Sequence, residues 1–500
     1  MKALLAIAFS VLLSNILNAQ GFIKKNYTQY YEAYSYGVAQ TSYGYIMAGG
    51  ITDTSRNGIY GSLPYTVMGV DTLGNQLWLK NYGDSSSKVF LGSADYIKKV
   101  ANYYYSAISK DYGNNVWFSS FLKLDEWGDT LWTKEYKGDA ADSILIIDNF
   151  TKTYSGGFIL GGRVWNASTS IDSKVILINI DSLGTVVWKK KYNLLTSIGG
   201  EYISSIVQDS TTRQIFFTGS RGYTVYKSVF CTVDSAGNNI TTKYINEPYG
   251  GELLTIKQLH DGNFIAAGAY NTANSVGGFV MRKSALRKLD INGNTLWHKE
   301  FGVEGIGNNF ASIEVLAGDT LIVGGSTDTT YARGLGFNDM FQLCKIAPNG
   351  TIIWCTQVDI NPPNTYQDVY HGLGLAKSSG YLMTGYLTNS SPTPFILVKT
   401  DANGCVQTNC RATALAQEQP SVGLVLYPNP ASNEINITCP NYVTDAHIVF
   451  TNVLGETVLQ SNLKTGVTTL TTQSVAQGFY TATVYVQGKA TEQYKIVINK

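Results

Sequence analysis

Asp71-Thr72-Leu73-Gly74-Asn75-Gln76-Leu77-Trp78 is the first clear copy of a unit that recurs along the chain with Asp, Gly and Trp at set spacing. The same pattern runs from Asp125 through Gly128 to Trp132, from Asp181 through Gly184 to Trp188, and from Asp290 through Gly293 to Trp297. Worn copies fill the gaps: Asp234 with Gly237 and Thr241, Ala347 with Gly350 and Trp354, and Asp401 with Gly404 and Thr408. Read at the Asp position, the steps are 54, 56, 53, 56, 57 and 54 residues. A period that regular means stacked supersecondary units.

Each unit reads as four strands. A short first strand follows an acidic or amide residue, as in Glu201 to Val207, and a tight polar turn leads to an apolar second strand ending in small residues, as in Phe158 to Gly162. A third strand enters the Asp-x-x-Gly hairpin and the fourth leaves it carrying the Trp. Asp at the first turn position can accept hydrogen bonds from amides two or three residues on, and Gly supplies the positive φ that closes a type I turn with a bulge. The Trp then covers the seam between neighbouring sheets, where full burial of so large a ring is worth about 3 kcal/mol or more. Seven four-stranded sheets arranged radially leave only short protected edges. The fold expected is all-β, a seven-bladed β-propeller followed by a small Ig-like β-sandwich. In the seventh unit the fourth strand is degraded, whereas Phe22-Ile23-Lys24-Lys25-Asn26-Tyr27 resembles Leu77-Trp78-Leu79-Lys80-Asn81-Tyr82 position by position. The N-terminal residues 21–27 are therefore expected to close the last blade.

Bulk properties narrow the function. A formal net charge of +1 and 15% charged residues over 500 residues argue against a nucleic-acid binder. Residues 1–19 read as a signal peptide: Lys2, an apolar run from Ala3 to Leu13, and a small-residue site at Leu17-Asn18-Ala19. No later segment approaches the roughly 20 apolar residues of a membrane helix. Disulfides persist in an exported chain. Cys405 and Cys410 flank a loop and form the expected pair; Cys344 and Cys355, on two arms of one hairpin but in offset register, are a second candidate pair, and Cys231 and Cys439 have no evident partner. No C-x-x-C or His spacing suits zinc.

After Cys410 the repeat stops. Residues 413–423 read as a linker, and from residue 424 short alternating strands suit a β-sandwich. Leu426-Tyr427-Pro428-Asn429-Pro430, Asn452-Val453-Leu454-Gly455-Glu456, Gly478-Phe479-Tyr480 and Lys495-Ile496-Val497-Ile498-Asn499-Lys500 together resemble the type A sorting domain of the type IX secretion system. The sorting residues are then Pro428, Asn429, Pro430, Gly455, Gly478, Tyr480, Lys495 and Lys500. That resemblance implies a Bacteroidota cell, passage via the periplasm through the outer-membrane translocon, processing by its sortase, and release or attachment at the outer-membrane surface. Residues 20–412 resemble the uncharacterised propellers that precede such domains. The Asp, Gly and Trp positions also resemble the tryptophan-docking repeats of pyrroloquinoline quinone dehydrogenases. No vicinal Cys pair is present for the quinone, so blade packing is the reading and no cofactor is expected.

Two sets of residues are candidates for recognition. The connections from second to third strand are long and carry Tyr60, Trp165, Tyr270, Tyr331 and Phe337 among amides and hydroxyls, a composition suited to glycan or protein surfaces. Glu32, Asp95, Asp142, Glu201, Glu252, Asn309 and Asp368 stand at the starts of the innermost strands, around one mouth of the channel. Such a ring suits Ca²⁺ or another cationic ligand, or each side chain fastens its own strand to backbone amides. No nucleophile, base and orienter group stands apart from the periodicity. The expected role is an exported binding or adhesion module for glycan or protein, with a polysaccharide hydrolase or lyase and a structural surface-layer protein as alternatives. Asp-Thr-Leu and Asp-Ser-Leu tripeptides at turns also fit an O-glycosylation acceptor pattern.

Overall fold

The Asp-x-x-Gly turns explain why the unit repeats. In the computed structural model, Asp71 Oδ1 accepts hydrogen bonds from the amides of Leu73 and Asn75, both at 2.8 Å, and Gly74 N donates to Asp71 O at 3.0 Å. Asp125, Asp181, Asp234, Asp290 and Asp401 hold the corresponding pair of amides. The second amide lies four residues on, not three, because the loop closes one residue past the glycine. The turn glycines have φ between 73° and 82°, a left-handed conformation that disfavours a side chain. The structure describes residues 21–26, 32–52, 65–83, 88–90, 97–167, 173–194, 201–221, 227–245, 250–276, 279–302, 308–328, 339–360, 368–377, 379–387, 393–406, 424–439, 446–452, 454–464, 466–486 and 489–500.

Past each turn the outer strand carries a bulge. Gly69 pairs with Trp78 but Val70 with Gln76, which leaves Leu77 between them, and the same shift isolates Leu131, Val187, Leu296 and Ile353. All five of these side chains are exposed. The bulge also corrects the cysteine register expected from sequence. Skipping Ile353 brings Cys344 directly opposite Cys355, and the two form a disulfide. Cys405 is disulfide-bonded as well, and Cys410 lies outside the described residues. Cys231 is buried, its Sγ 3.6 Å from Thr242 Oγ1, with the thiol pushed up to about 12 by desolvation.

Among the described residues the repeat region forms five four-stranded antiparallel sheets and one nine-stranded sheet. The larger sheet is two repeat units joined by a single parallel pairing, Ile144 with Trp117. Unit one runs Glu32–Gln40, Gly44–Thr52, Tyr65–Asp71, Gln76–Tyr82, in that spatial order. In the last unit Asp368–Leu375, Tyr381–Leu387 and Phe395–Lys399 are completed by Phe22–Asn26, which pairs antiparallel with Phe395–Lys399. Innermost strands pack together from the third unit through the seventh and between the first and second, and Asp368–Leu375 packs against Glu32–Gln40. Across that junction Ser35 Oγ bonds Thr384 Oγ1, and Gln40 Nε2 donates to Leu375 O at 2.6 Å. The sheets thus close a ring, the arrangement of a β-propeller.

The seams show what the Trp does. A Cβ on Gly128 of the second unit would fall 2.7 Å from the ring of Trp78 in the first; Gly184, Gly237, Gly350 and Gly404 meet Trp132, Trp188, Trp297 and Trp354 in turn. These rings are half-buried, so each contributes less than the about 3 kcal/mol of full burial. At the closing seam Gly74 meets Phe22 and Lys24, Lys24 Nζ donates to Asn75 Oδ1 at 2.9 Å, and Asn26 Nδ2 donates to Gly74 O at 3.1 Å. The equivalent contacts elsewhere come from Trp78, Lys80 and Tyr82. Phe22 therefore occupies the Trp position, one residue off the alignment with Leu77 read from sequence.

The chain divides into two compact units, Met1–Leu415 and Ala416–Lys500. In the second, the sheet of Val425–Tyr427, Glu434–Cys439 and Gly466–Thr471 and the sheet of Thr457–Asn462, Ala446–Thr451, Gly478–Val486 and Lys489–Ile498 enclose Ile435, Ile437, Phe450, Val484 and Ile496. Among the described residues no helix is long and apolar enough to cross a membrane.

Candidate functional site

The innermost strands run from the expected acidic ring toward a cavity at their other end. The described members of the ring turn to local partners. Asp142 Oδ2 accepts from Asp139 N at 2.8 Å and from Lys191 Nζ at 3.0 Å, while Lys189 and Lys191 hold the Asp139 carboxyl at about 2. Glu201 is buried, and its Oε2 accepts from Leu194 N at 3.3 Å. Glu252 Oε2 lies 3.3 Å from Arg282 Nη1, and Asn309 Oδ1 accepts from Ser326 N at 3.0 Å. Each of these contacts fastens a strand to its surroundings. Glu32 and Asp368 open their strands, with side chains outside the described set, and Asp95 lies outside the described residues. Among the described residues no three His, Cys, Asp or Glu side chains group as a metal site.

Of the expected aromatic face, Trp165 is half-buried and ends the strand Phe158–Trp165. Tyr270 is buried with its ring 5.6 Å from that of His298. Tyr60, Tyr331 and Phe337 lie outside the described residues. His371 packs between Tyr36 and Tyr386, at ring distances of 4.6 Å and 5.3 Å. Desolvation pushes its imidazole down to about 4, so it is neutral at physiological pH.

The cavity at the far ends of the strands has a volume of about 410 Å³. Its lining draws on inner strand ends of several units: Gln40 of the first, Lys98 and Lys99 of the second, Lys257 of the fifth, Glu314 of the sixth and Gly374 of the last. Such a cavity sits on the ring axis. Lys98 Nζ donates to Asn149 Oδ1 at 2.9 Å and Phe150 O at 2.7 Å, and lies 4.8 Å from the centroid of the Phe150 ring. Sequence reasoning missed this site because Lys98, Lys99, Lys257 and Glu314 follow no shared position in the repeat; their convergence depends on closure of the ring.

The tail brings its motif residues together. Asn429 Nδ2 donates to Lys495 O at 2.8 Å and its Oδ1 accepts from Val497 N at 2.9 Å, tying the Pro428-Asn429-Pro430 segment to the last strand. Tyr480 OH donates to Ala476 O at 2.7 Å, Lys500 Nζ to Gln473 O at 2.5 Å, and Gly455 and Gly478 lie at a turn and a strand start.

Comparison with known proteins places that tail. Residues 425–499 match the secretion system C-terminal sorting domain. No curated protein matches the chain. Among solved structures, a protein of unknown function from Bacteroides caccae is similar at 11% identity, with 66% of this chain and 96% of that one covered and a TM-score of 0.35. PorZ, a surface component of the type IX secretion system of Porphyromonas gingivalis, is similar at 12% identity, with 93% and 70% covered and a TM-score of 0.30. Drosophila Semaphorin 2a is similar at 9% identity, with 96% and 98% covered and a TM-score of 0.42. The tail marks the chain as one sorted by the type IX system to the cell surface or secreted.

Proposed function

We propose that this exported protein is a binding module: a signal peptide over residues 1–19, a seven-bladed ring over residues 20–412, a linker over residues 413–423, and a sorting tail over residues 424–500. The ring holds a ligand at its axis and the tail delivers it to the surface. The observation that carries the reading is the axial cavity, whose lining is drawn from the inner strand ends of separate units. Rigid strand ends hold that lining in place, which reduces the ordering entropy that binding must overcome.

The test is a glycan and protein array probed with the full chain, repeated with a chelator and followed by product analysis. Binding without product supports the module. Released saccharide or peptide would instead make it a hydrolase or lyase, and silence on every probe would leave a structural surface-layer role. Partners in export are the outer-membrane translocon and sortase that read the tail.

A further inference from the structure

The third residue of each Asp-x-x-Gly turn lies at its tip, and in the first three units it is large, apolar and exposed: Leu73 at 50%, Trp127 at 49% and Leu183 at 69%. The same position carries Ala236, Asn292, Asn349 and Asn403 in the other four units. The turn itself therefore needs no apolar tip. Blade packing does not need one either, because Trp78 and Trp132 already fill the seams behind Gly128 and Gly184.

Sheet register puts the turn between first and second strands at the same end as the Asp-x-x-Gly turn. Gly44 pairs with Asp71, Tyr104 with Leu124, and Phe158 with Ile180. Tyr43, Tyr103 and Tyr154 stand at these first turns. Tyr43 stacks on Trp127 with ring centroids 4.6 Å apart, and Tyr154 is 55% exposed. Exposed apolar side chains scattered singly are ordinary, but a band confined to one end of three neighbouring units marks an interaction surface.

Charge is sided in the same way. Lys123 Nζ stands 3.7 Å from the centroid of the Tyr103 ring, and the guanidinium of Arg213, from the fourth unit, 4.2 Å from that of Tyr154. Lys152 is exposed where its strand enters the Tyr154 turn, and the stem of Lys134 lies against Gly184, next to Leu183. None of these four cations makes an ion pair among the described residues. The carboxylates of this region are engaged: Asp71, Asp125 and Asp181 each accept two turn amides, Glu126 accepts from Ser42 N, and Asp129 pairs with Lys80. The first turns of units four to six carry Asp209, Asp261 and Asp319.

We propose that this half of the turn face docks on an anionic phospholipid surface, with Leu73, Trp127 and Leu183 at the acyl boundary and Lys123, Lys134, Lys152 and Arg213 among the phosphates. Apolar tips flanked by tyrosine and cations have the composition of an interfacial anchor. An anionic bilayer attracts this half and repels the half that bears Asp209, Asp261 and Asp319. A second copy seated on the same patch would set these cations against their own equivalents. The docking face is independent of the axial cavity and of any ligand held there.

Flotation of the full chain with vesicles of phosphatidylcholine alone, and of phosphatidylcholine with phosphatidylglycerol, tests this together with quenching of tryptophan fluorescence by brominated acyl chains. All eight Trp lie between residues 78 and 354, so quenching reports the ring and neither the leader nor the tail. Binding to the anionic vesicles is expected, about tenfold weaker to the neutral ones and weaker as salt rises. Trp127→Phe should keep binding and lose most of the quenching. Leu73→Asp and Leu183→Asp should each weaken binding about tenfold, and Lys152→Gln about threefold to fivefold. Leu296→Asp, on a leucine of unit five that is 52% exposed, should leave it unchanged. Thermal unfolding checks the fold of each variant, and quenching in the parent chain needs no variant. An absence of ring quenching, quenching that Trp127→Phe does not reduce, or a loss with Leu296→Asp equal to that with Leu183→Asp overturns the docking face. Neutral and anionic vesicles bound alike overturn the choice of an anionic surface. Self-association that Leu183→Asp abolishes, with vesicles ignored, would give the patch to a second copy and overturn the lipid reading.

Discussion

Two seams of the ring carry the same turn and different fillings. Between the third and fourth units, Gly237 meets the Trp188 ring, Lys190 Nζ donates to Asn238 Oδ1 at 3.1 Å, and Tyr192 OH donates to Gly237 O at 2.8 Å. Between the fourth and fifth units the outer strand Thr241–Ile245 has no Trp, and Gly293 meets Phe230 of the third strand instead. Phe230 is 1% exposed and packs with Phe216 and Phe264, whereas Trp188 is half-buried. Both seams need a turn whose backbone lies flush against a ring, so the glycine is the fixed part and the ring is interchangeable.

The largest break is expected at the closing seam, where one short strand supplies both ladder and filling. Deleting residues 21–26 removes the pairing with Phe395–Lys399 and the contact of Phe22 with Gly74. The loss should exceed the about 3–5 kcal/mol of a large-to-small core change, read as a lower or broadened thermal transition; an unchanged Tm would refute closure by this strand. Next, Phe230→Ala should cost about 3–5 kcal/mol in chemical denaturation, and Trp188→Ala clearly less because its ring is already partly hydrated. Equal losses would mean the two fillings are equivalent after all.

Glycine substitutions separate backbone strain from packing. Gly128 has φ +76 and a Cβ there would fall 2.7 Å from Trp78, while Gly262 has φ +85 with nothing within 4 Å. Gly262→Ala should cost about 1–2 kcal/mol for the left-handed backbone alone, and Gly128→Ala about 1–3 kcal/mol more for the displaced ring. Matched values would show that Trp78 yields freely.

The smallest effect is a pH slope at the seam of the third and fourth units. Asp148 is buried there, its carboxyl pushed up to about 6 by desolvation, with Arg163 at 3.4 Å and the Ile203 amide at 3.4 Å pulling the other way. A carboxyl whose folded pKa is raised contributes stability that is full below its unfolded value, near 4, and lost as pH rises through about 6. The Tm of the parent chain should therefore fall relative to Asp148→Asn between pH 4 and pH 7. A difference independent of pH would place the Asp148 proton elsewhere.

Much of this was legible in the residues. The spacing of Asp, Gly and Trp carries the turn, its left-handed glycine and the strand that follows, because these are local hydrogen bonds and local backbone sterics. The tail motifs were equally readable as sequence; the Tyr480 bond to Ala476 is local, whereas Asn429 reaches the last strand and its bonds exist only once the sandwich has formed. The cysteine register was not, because one bulged residue at Ile353 shifts every later pairing. The alignment of Phe22 also slipped by one, since a six-residue likeness contains no marker of which side chain faces the seam.

What the sequence determined by itself is therefore the unit and its period, set by interactions a few residues long, and the export tag, readable from its motifs. Tertiary structure decided the partner of each turn glycine, the opposition of Cys344 and Cys355, and the meeting of Lys98, Lys99, Lys257 and Glu314 on one axis. Those residues lie far apart in the chain and share no repeat position. Only closure of the ring, driven by burial of apolar surface between sheets, brings their strand ends to one cavity.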